Sequence, residues 1–250
     1  MFISKQILIT GLCAIAFSAH SALTLDRSRI IFDEGLSSVS VSITNRNEQS
    51  PYLAQSWLED MKEKKLTSLL MVLPPVQRVE PGAKTKVRIK ALPDLSTLPK
   101  DRESVFYFNL REIPPKSDKP NVLMLAMQTR FKVFYRPASL KVDAQADVVP
   151  GTESLTLVKD GDKYILNNPS PYYFSIVEVR PSTAAKGVQG FSAKLFSPKS
   201  ESSLGIASSA LSNSPALVFI NDYGSQRLLS FKCDNTKCTV EKIGPTASNS

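Results

Sequence analysis

The sequence predicts an all-β protein made of two sandwich domains. Short apolar runs recur along the chain, separated by Pro, Gly and polar turns. No stretch keeps a helical apolar period between helix caps. Composition shifts after Pro137, which divides the 250 residues into pieces of ordinary domain size.

The first segment reads as an address rather than as structure. Met1–Ser21 has a positive start at Lys5 and an apolar run, Ile7–Phe17, too short to cross a bilayer as a helix. Ala19 and Ser21 put small residues third and first before a cut at Ala22. Cys13 is a poor lipidation site because the bulky Leu12 precedes it. No later run is long enough to read as a membrane anchor. A signal peptide over 1–21 implies export.

Processing would change the chemistry left in the chain. The whole chain carries a net charge of +8, and losing Lys5 with the signal leaves +7. The single His, His20, leaves too. A chain without His has no Ser-His-Asp or Cys-His site and no His-ligated zinc. Cys233 and Cys238 remain, too few for a four-thiolate metal site. The Lys and Arg residues are dispersed apart from Lys62–Lys65, which argues against nucleic-acid binding.

Domain one is expected over 22–140. Ser38–Asn45 alternates, with Val39, Val41 and Ile43 on one face. Strands follow at Tyr52–Leu58, Leu69–Leu73, Thr85–Ala91 and Val105–Ile113. Asn45–Pro51, Pro74-Pro75, Glu80-Pro81-Gly82 and Pro114–Pro120 separate them. Asn121–Arg136 is the longest strand candidate, and Pro137 ends it.

Domain two is expected over 141–250, with the boundary near 138–143. Leu155–Val158 and Tyr164–Leu166 flank Asp160-Gly161, a hairpin turn signal. Tyr172–Arg180, Phe191–Phe196, Ala216–Ile220, Leu228–Cys233 and Cys238–Ile243 complete the set. The four residues between Cys233 and Cys238 read as a turn, so an exported chain would staple this hairpin. Entropy alone assigns such a short loop about 2 kcal/mol.

Some residues break the pattern. Asn121–Met127 is apolar in both phases, through Val122, Met124, Ala126 and through Leu123, Leu125, Met127. Such a strand is either central, buried on both faces, or an edge with an apolar row left for a partner. Arg29 and Lys132 sit in apolar strand-like surroundings. Each either reaches solvent or pairs with a carboxylate, or both converge on one anion. Glu103 and Arg136 could form a structural ion pair. Asp101 and Glu103 are a carboxylate pair, but no aromatic cluster for sugar surrounds them, so glycosidase chemistry has no support.

The longest motifs are Leu98–Pro115 (LPKDRESVFYFNLREIPP) and Gln128–Pro137 (QTRFKVFYRP). LDRSRIIFDEG, YLAQSWLED, PPVQRVEPGAK, NPSPYY, INDYG and the Cys233–Cys238 pair accompany them. Together they resemble the PapD-like periplasmic pilus-assembly chaperones of the chaperone–usher pathway, over essentially the whole mature chain.

The resemblance implies two immunoglobulin-like sandwiches at an angle, with a cleft between them. It implies that Arg29 and Lys132 anchor the C-terminal carboxylate of a pilus subunit. Leu123, Leu125 and Met127 would be the donated row that completes the subunit's sheet. Glu103, Arg136 and Asp222 would form the charged network between the domains. The short Pro114–Asn121 connection matches the subgroup serving rod-like pili. Delivery would be to an outer-membrane usher, with no cofactor, metal or catalysis. Exposed donor strands would also leave self-association open to a chain with no subunit bound. The alternative is an immunoglobulin-like surface or adhesive subunit, which would need a missing strand or a donor arm of its own.

One tension follows from strand geometry. Leu123, Leu125 and Met127 are odd-numbered and Lys132 is even-numbered, so alternation puts them on opposite faces. Either a bulge intervenes or the cleft is reached sideways.

Overall fold

The computed structural model describes residues 21–117 and 123–246. The expected signal segment up to His20, with Lys5 and Cys13, lies outside the described residues, as do Asn121 and Val122.

The first sandwich packs two sheets. β1 (Leu23–Leu25), β3 (Ser38–Asn45), β7 (Lys84–Ala91) and β5 (Leu70–Leu73) form one, in the order β1-β3-β7-β5. β2 (Arg29–Asp33), β9 (Met127–Arg136), β8 (Ser104–Ile113), β4 (Tyr52–Glu59) and β6 (Val76–Val79) form the other, in the order β2-β9-β8-β4-β6. Ile30, Phe32, Val41, Ile43, Phe108, Val133 and Tyr135 are buried in one apolar core. Alternation delivers them: the inward phase of each strand is apolar, and burial drives the faces together.

The second half has its own core, built on Leu157, Leu166, Phe174, Phe219, Leu229 and Phe231. Its strands are β10 (Thr156–Asp160), β11 (Lys163–Asn168), β12 (Phe174–Arg180), β13 (Lys194–Phe196), β14 (Ser200–Ala207), β15 (Ala216–Ile220), β16 (Gln226–Asp234) and β17 (Lys237–Pro245). They form one continuous ladder in the order β13-β12-β15-β16-β17-β10-β11-β14, which curls so that β13 approaches β14. Cys233 and Cys238 face each other across the β16–β17 hairpin and are joined as a disulfide.

Four strands were not among those expected: β2 was marked only by the strand-like surroundings of Arg29, and three others carried no mark. β1 and β6 are short, and β14 carries Ser-Glu-Ser-Ser before its buried Leu204 and Ile206. The long strand expected over Asn121–Arg136 is regular only from Met127. Its partner explains this. Met127 pairs with Glu112 on β8, and β8 stops at Ile113, before Pro114 and Pro115. Proline has no N–H for a ladder, so among the described residues 123–126 have no pairing partner on that side.

Candidate functional site

The site grows out of β9, which has different neighbours along its two edges. On one side β8 pairs with it without a break from Met127 to Tyr135. On the other, β2 runs parallel to it and covers only Lys132–Arg136. Among the described residues, the Met127–Phe131 stretch of that edge has no strand beside it. An uncovered edge offers unpaired N–H and C=O groups to another chain.

The register also settles the question of phase. It contains no bulge between Met127 and Lys132, so the two side chains project to opposite faces. Phe131, Val133 and Tyr135 pack into the first core. Met127 continues the same row beyond the domain, where it is 41% exposed. Leu123 and Leu125, at 82% and 68% exposed, precede it in a segment without regular structure. Proteins seldom leave such a run of large apolar side chains in water without a partner.

The opposite face carries Lys132, Phe134 and Arg136. Arg29 opens β2 directly opposite Lys132, so both cations stand where the uncovered edge ends. Arg29 is largely buried, and its Nη1 donates to the Ile220 carbonyl at 2.7 Å. Its guanidinium lies 5.8 Å from the centre of the Phe134 ring. Its Nε is buried and has no acceptor among the described residues, and a buried donor left unmet is costly. Burial lowers the Arg29 pKa to about 10, against the attraction of Asp222 and Glu103. Burial, and then the charge of Arg29, lowers Lys132 below its usual value. Two like charges held together and partly out of water favour an anionic ligand.

Between the domains lies a cavity of about 790 Å³, lined by Arg29, Ile31, Asp33, Arg136, Asp222 and Tyr223 among others. Lys132 is not on its wall and flanks Arg29 from the neighbouring strand.

Arg136 ties the domains together. Its Nη2 lies 2.8 Å from Glu103 Oε1, and its Nη1 donates to Asp222 Oδ2 at 2.7 Å. Glu103 Oε2 accepts the Tyr173 N–H at 2.8 Å, and the Glu103 N–H donates to the Pro171 carbonyl. Burial pushes the Glu103 carboxyl up, while Arg136 and the Tyr173 N–H pull it back. Burial also opposes the Arg136 charge, but its bonds to Asp222 and the attraction of Glu103 hold its pKa above the usual arginine value. Gly224, with φ +82°, lets the loop carrying Asp222 approach Ser28, because a side chain there would meet the Ser28 hydroxyl.

Thus Arg29 stands beside Lys132, and Glu103 beside Arg136 and Asp222. Asp101 and Glu103 do not form a carboxylate site. Asp101 is exposed and paired with Arg102 and with Lys199 of the second domain, 2.6 Å away. Sequence reasoning missed this contact and the Ile220 carbonyl. A backbone acceptor leaves no mark in composition, and Lys199 has no motif around it.

No helix among the described residues is long and apolar enough to cross a membrane. Residues 22–141 match the family model for the pili and flagellar-assembly chaperone PapD N-terminal domain. Residues 150–231 match the model for the pili assembly chaperone PapD C-terminal domain. The chain is 44% identical to the chaperone protein PapD of Escherichia coli over 242 residues, spanning 96% of this chain and 99% of that one. It resembles the solved periplasmic chaperone SfaE with a TM-score of 0.65 and 25% identity, over 82% of this chain and 95% of that one. The Salmonella enterica SafB chaperone, solved in complex with SafA pilin, shares the fold with a TM-score of 0.71 and 21% identity, over 87% and 99% of the two chains. An all-β pair of sandwiches, matched by one model in each half and by PapD along nearly its whole length, places this chain in the PapD family of pilus-assembly chaperones.

Proposed function

We propose that this chain is a periplasmic chaperone that caps incomplete pilus subunits by lending them β9. The edge of β9 uncovered from Met127 to Phe131, and ending at Arg29 and Lys132, carries the reading. β2 is parallel to β9 and begins at Arg29. A guest strand laid on the uncovered stretch in the same direction would lie in line with β2. Its end would meet the two cations, where a terminal carboxylate can take charge-assisted hydrogen bonds from both. The stop fixes register, and a slip of one residue would turn the whole row to the wrong face.

Leu123, Leu125 and Met127 would then fill a groove in the bound pilus protein. Each fully buried side chain contributes on the order of 1.5–3 kcal/mol. The row would enter the guest's core as Phe131, Val133 and Tyr135 enter the chaperone's own. Glu103, Arg136 and Asp222 would hold the angle between the domains. The unoccupied edge would also allow pairing between two cargo-free copies. Transfer would take place at an outer-membrane usher, where the next subunit's own segment replaces β9 without a chemical step.

Co-purification from the periplasm tests this. Wild-type protein should bring down pilus subunits, and Arg29→Ala and Lys132→Ala should stay folded and bring down none. Normal capture by both variants would overturn the reading. A polymerising subunit would instead form chains on size exclusion.

A further inference from the structure

Glu112 lies on β8, opposite Met127. It is 5% exposed, and no Lys or Arg among the described residues pairs with it. Its donors come instead from the start of the chain. Oε2 accepts the Leu23 N–H at 2.7 Å and the Ser21 hydroxyl at 3.0 Å. A buried carboxylate without a cation is unusual, because taking the charge out of water is costly.

The expected cut falls between Ser21 and Ala22, inside this contact. Processing there removes the Ser21 hydroxyl and turns the Ala22 amide nitrogen into an α-ammonium. That nitrogen is one residue from the Leu23 N–H already bonded to Glu112. Ala22 is held in place from its other side, since its carbonyl accepts the Arg46 N–H at 2.7 Å. β1 pairs with β3 from Leu23 to Leu25, so the start of the processed chain is already part of the sheet. The matched family model also begins at residue 22.

We propose that Glu112 is the binding site for the α-ammonium of the processed chain, so that removal of the signal completes the first domain. Before the cut, Glu112 has neutral donors only. After it, the carboxylate gains a cation with no long side chain to order. The unprocessed chain therefore holds this end of the sheet less firmly. The inference rests on export and on a cut before Ala22, both expected from the first 21 residues.

The experiment uses the full exported protein with its disulfide formed. N-terminal mass analysis first fixes the first residue. Unfolding by urea is then measured for four species: the processed chain, the same chain acetylated selectively on its α-amine, Glu112→Gln, and Glu112→Gln acetylated. Acetylation alone should shift the unfolding equilibrium by about tenfold or more toward unfolding. On Glu112→Gln it should change little, because the partner is gone. An equal loss on both backgrounds would overturn the proposal, as would acetylation without effect on wild type. Acetylation leaves the core untouched, so the wild-type arm decides even if Glu112→Gln folds poorly. A first residue other than Ala22 would overturn the proposal through the cleavage site, leaving the capping function intact.

Discussion

Arg29 and Lys132 are direct partners across the parallel β2–β9 pair, at the residue where the uncovered edge of β9 ends. On the proposed function, two cations so placed put a charged stop at the end of a strand-binding edge. The open Nε of Arg29 adds a donor that no described residue satisfies. Removing either charge is expected to weaken capture of pilus proteins by about 2–5 kcal/mol, the usual cost of truncating a buried charge contact. Titration of purified variants with a peptide from the C-terminus of a pilus protein would measure this. The same peptide amidated at its end should bind wild type as weakly as the unmodified peptide binds Arg29→Ala.

The row proposed for donation should be separable from the fold. Leu125→Asp and Met127→Glu replace exposed side chains beyond the core, so the unfolding midpoint should move little. Capture of pilus proteins should fall, each lost apolar side chain removing roughly 1.5–3 kcal/mol before the added charge is counted. Val133→Asp, fully buried in the same row, should instead unfold the first domain. Circular dichroism alongside capture distinguishes the two outcomes.

Breaking the link between the domains should cost more than its exposed counterpart. The Arg136 and Glu103 side chains are 4% and 2% exposed, so Arg136→Ala strands a buried carboxylate and should cost about 3–5 kcal/mol. Lys199→Ala removes an exposed pair with Asp101 and should cost less than about 1 kcal/mol. Small-angle scattering should show a wider spread of domain angles for Arg136→Ala than for Lys199→Ala.

Capture should also depend on pH at the alkaline end. Arg29 falls to about 10 through burial, and Lys132 is lowered by burial and by Arg29. A bound carboxylate favours the charged form of both, so affinity is full below these values and is lost as pH rises through about 10. Binding measured across that range should fall for wild type, and the fall through about 10 should be shallower for Arg29→Ala.

Much of this arrangement could be read from the residues alone. Apolar alternation marked most strands, and the strings around Arg29, Lys132, Glu103 and Arg136 carried the family likeness. What stayed hidden depends on neighbours distant in sequence. Leu123 and Leu125 look the same whether a second strand covers them or not, and only the order β2-β9-β8 shows which edge is open. The polar run of β14 hid a strand, because its pairing to β11 is made by backbone groups. Glu112 carries no mark in the sequence either, because its donors, Leu23 and Ser21, lie 89 and 91 residues earlier in the chain.

The uncovered edge behaves as a ruler with one fixed end. From Met127 to Lys132 it offers roughly 17 Å at about 3.3 Å per residue. A guest strand can overhang at the Met127 end, but β2 blocks it at the other. On the proposed function, such an edge measures distance from a chain's last residue and is nearly blind to what lies further in. Many different pilus proteins could then share one chaperone, while a segment from the middle of a folded protein, with no free carboxylate, could not seat.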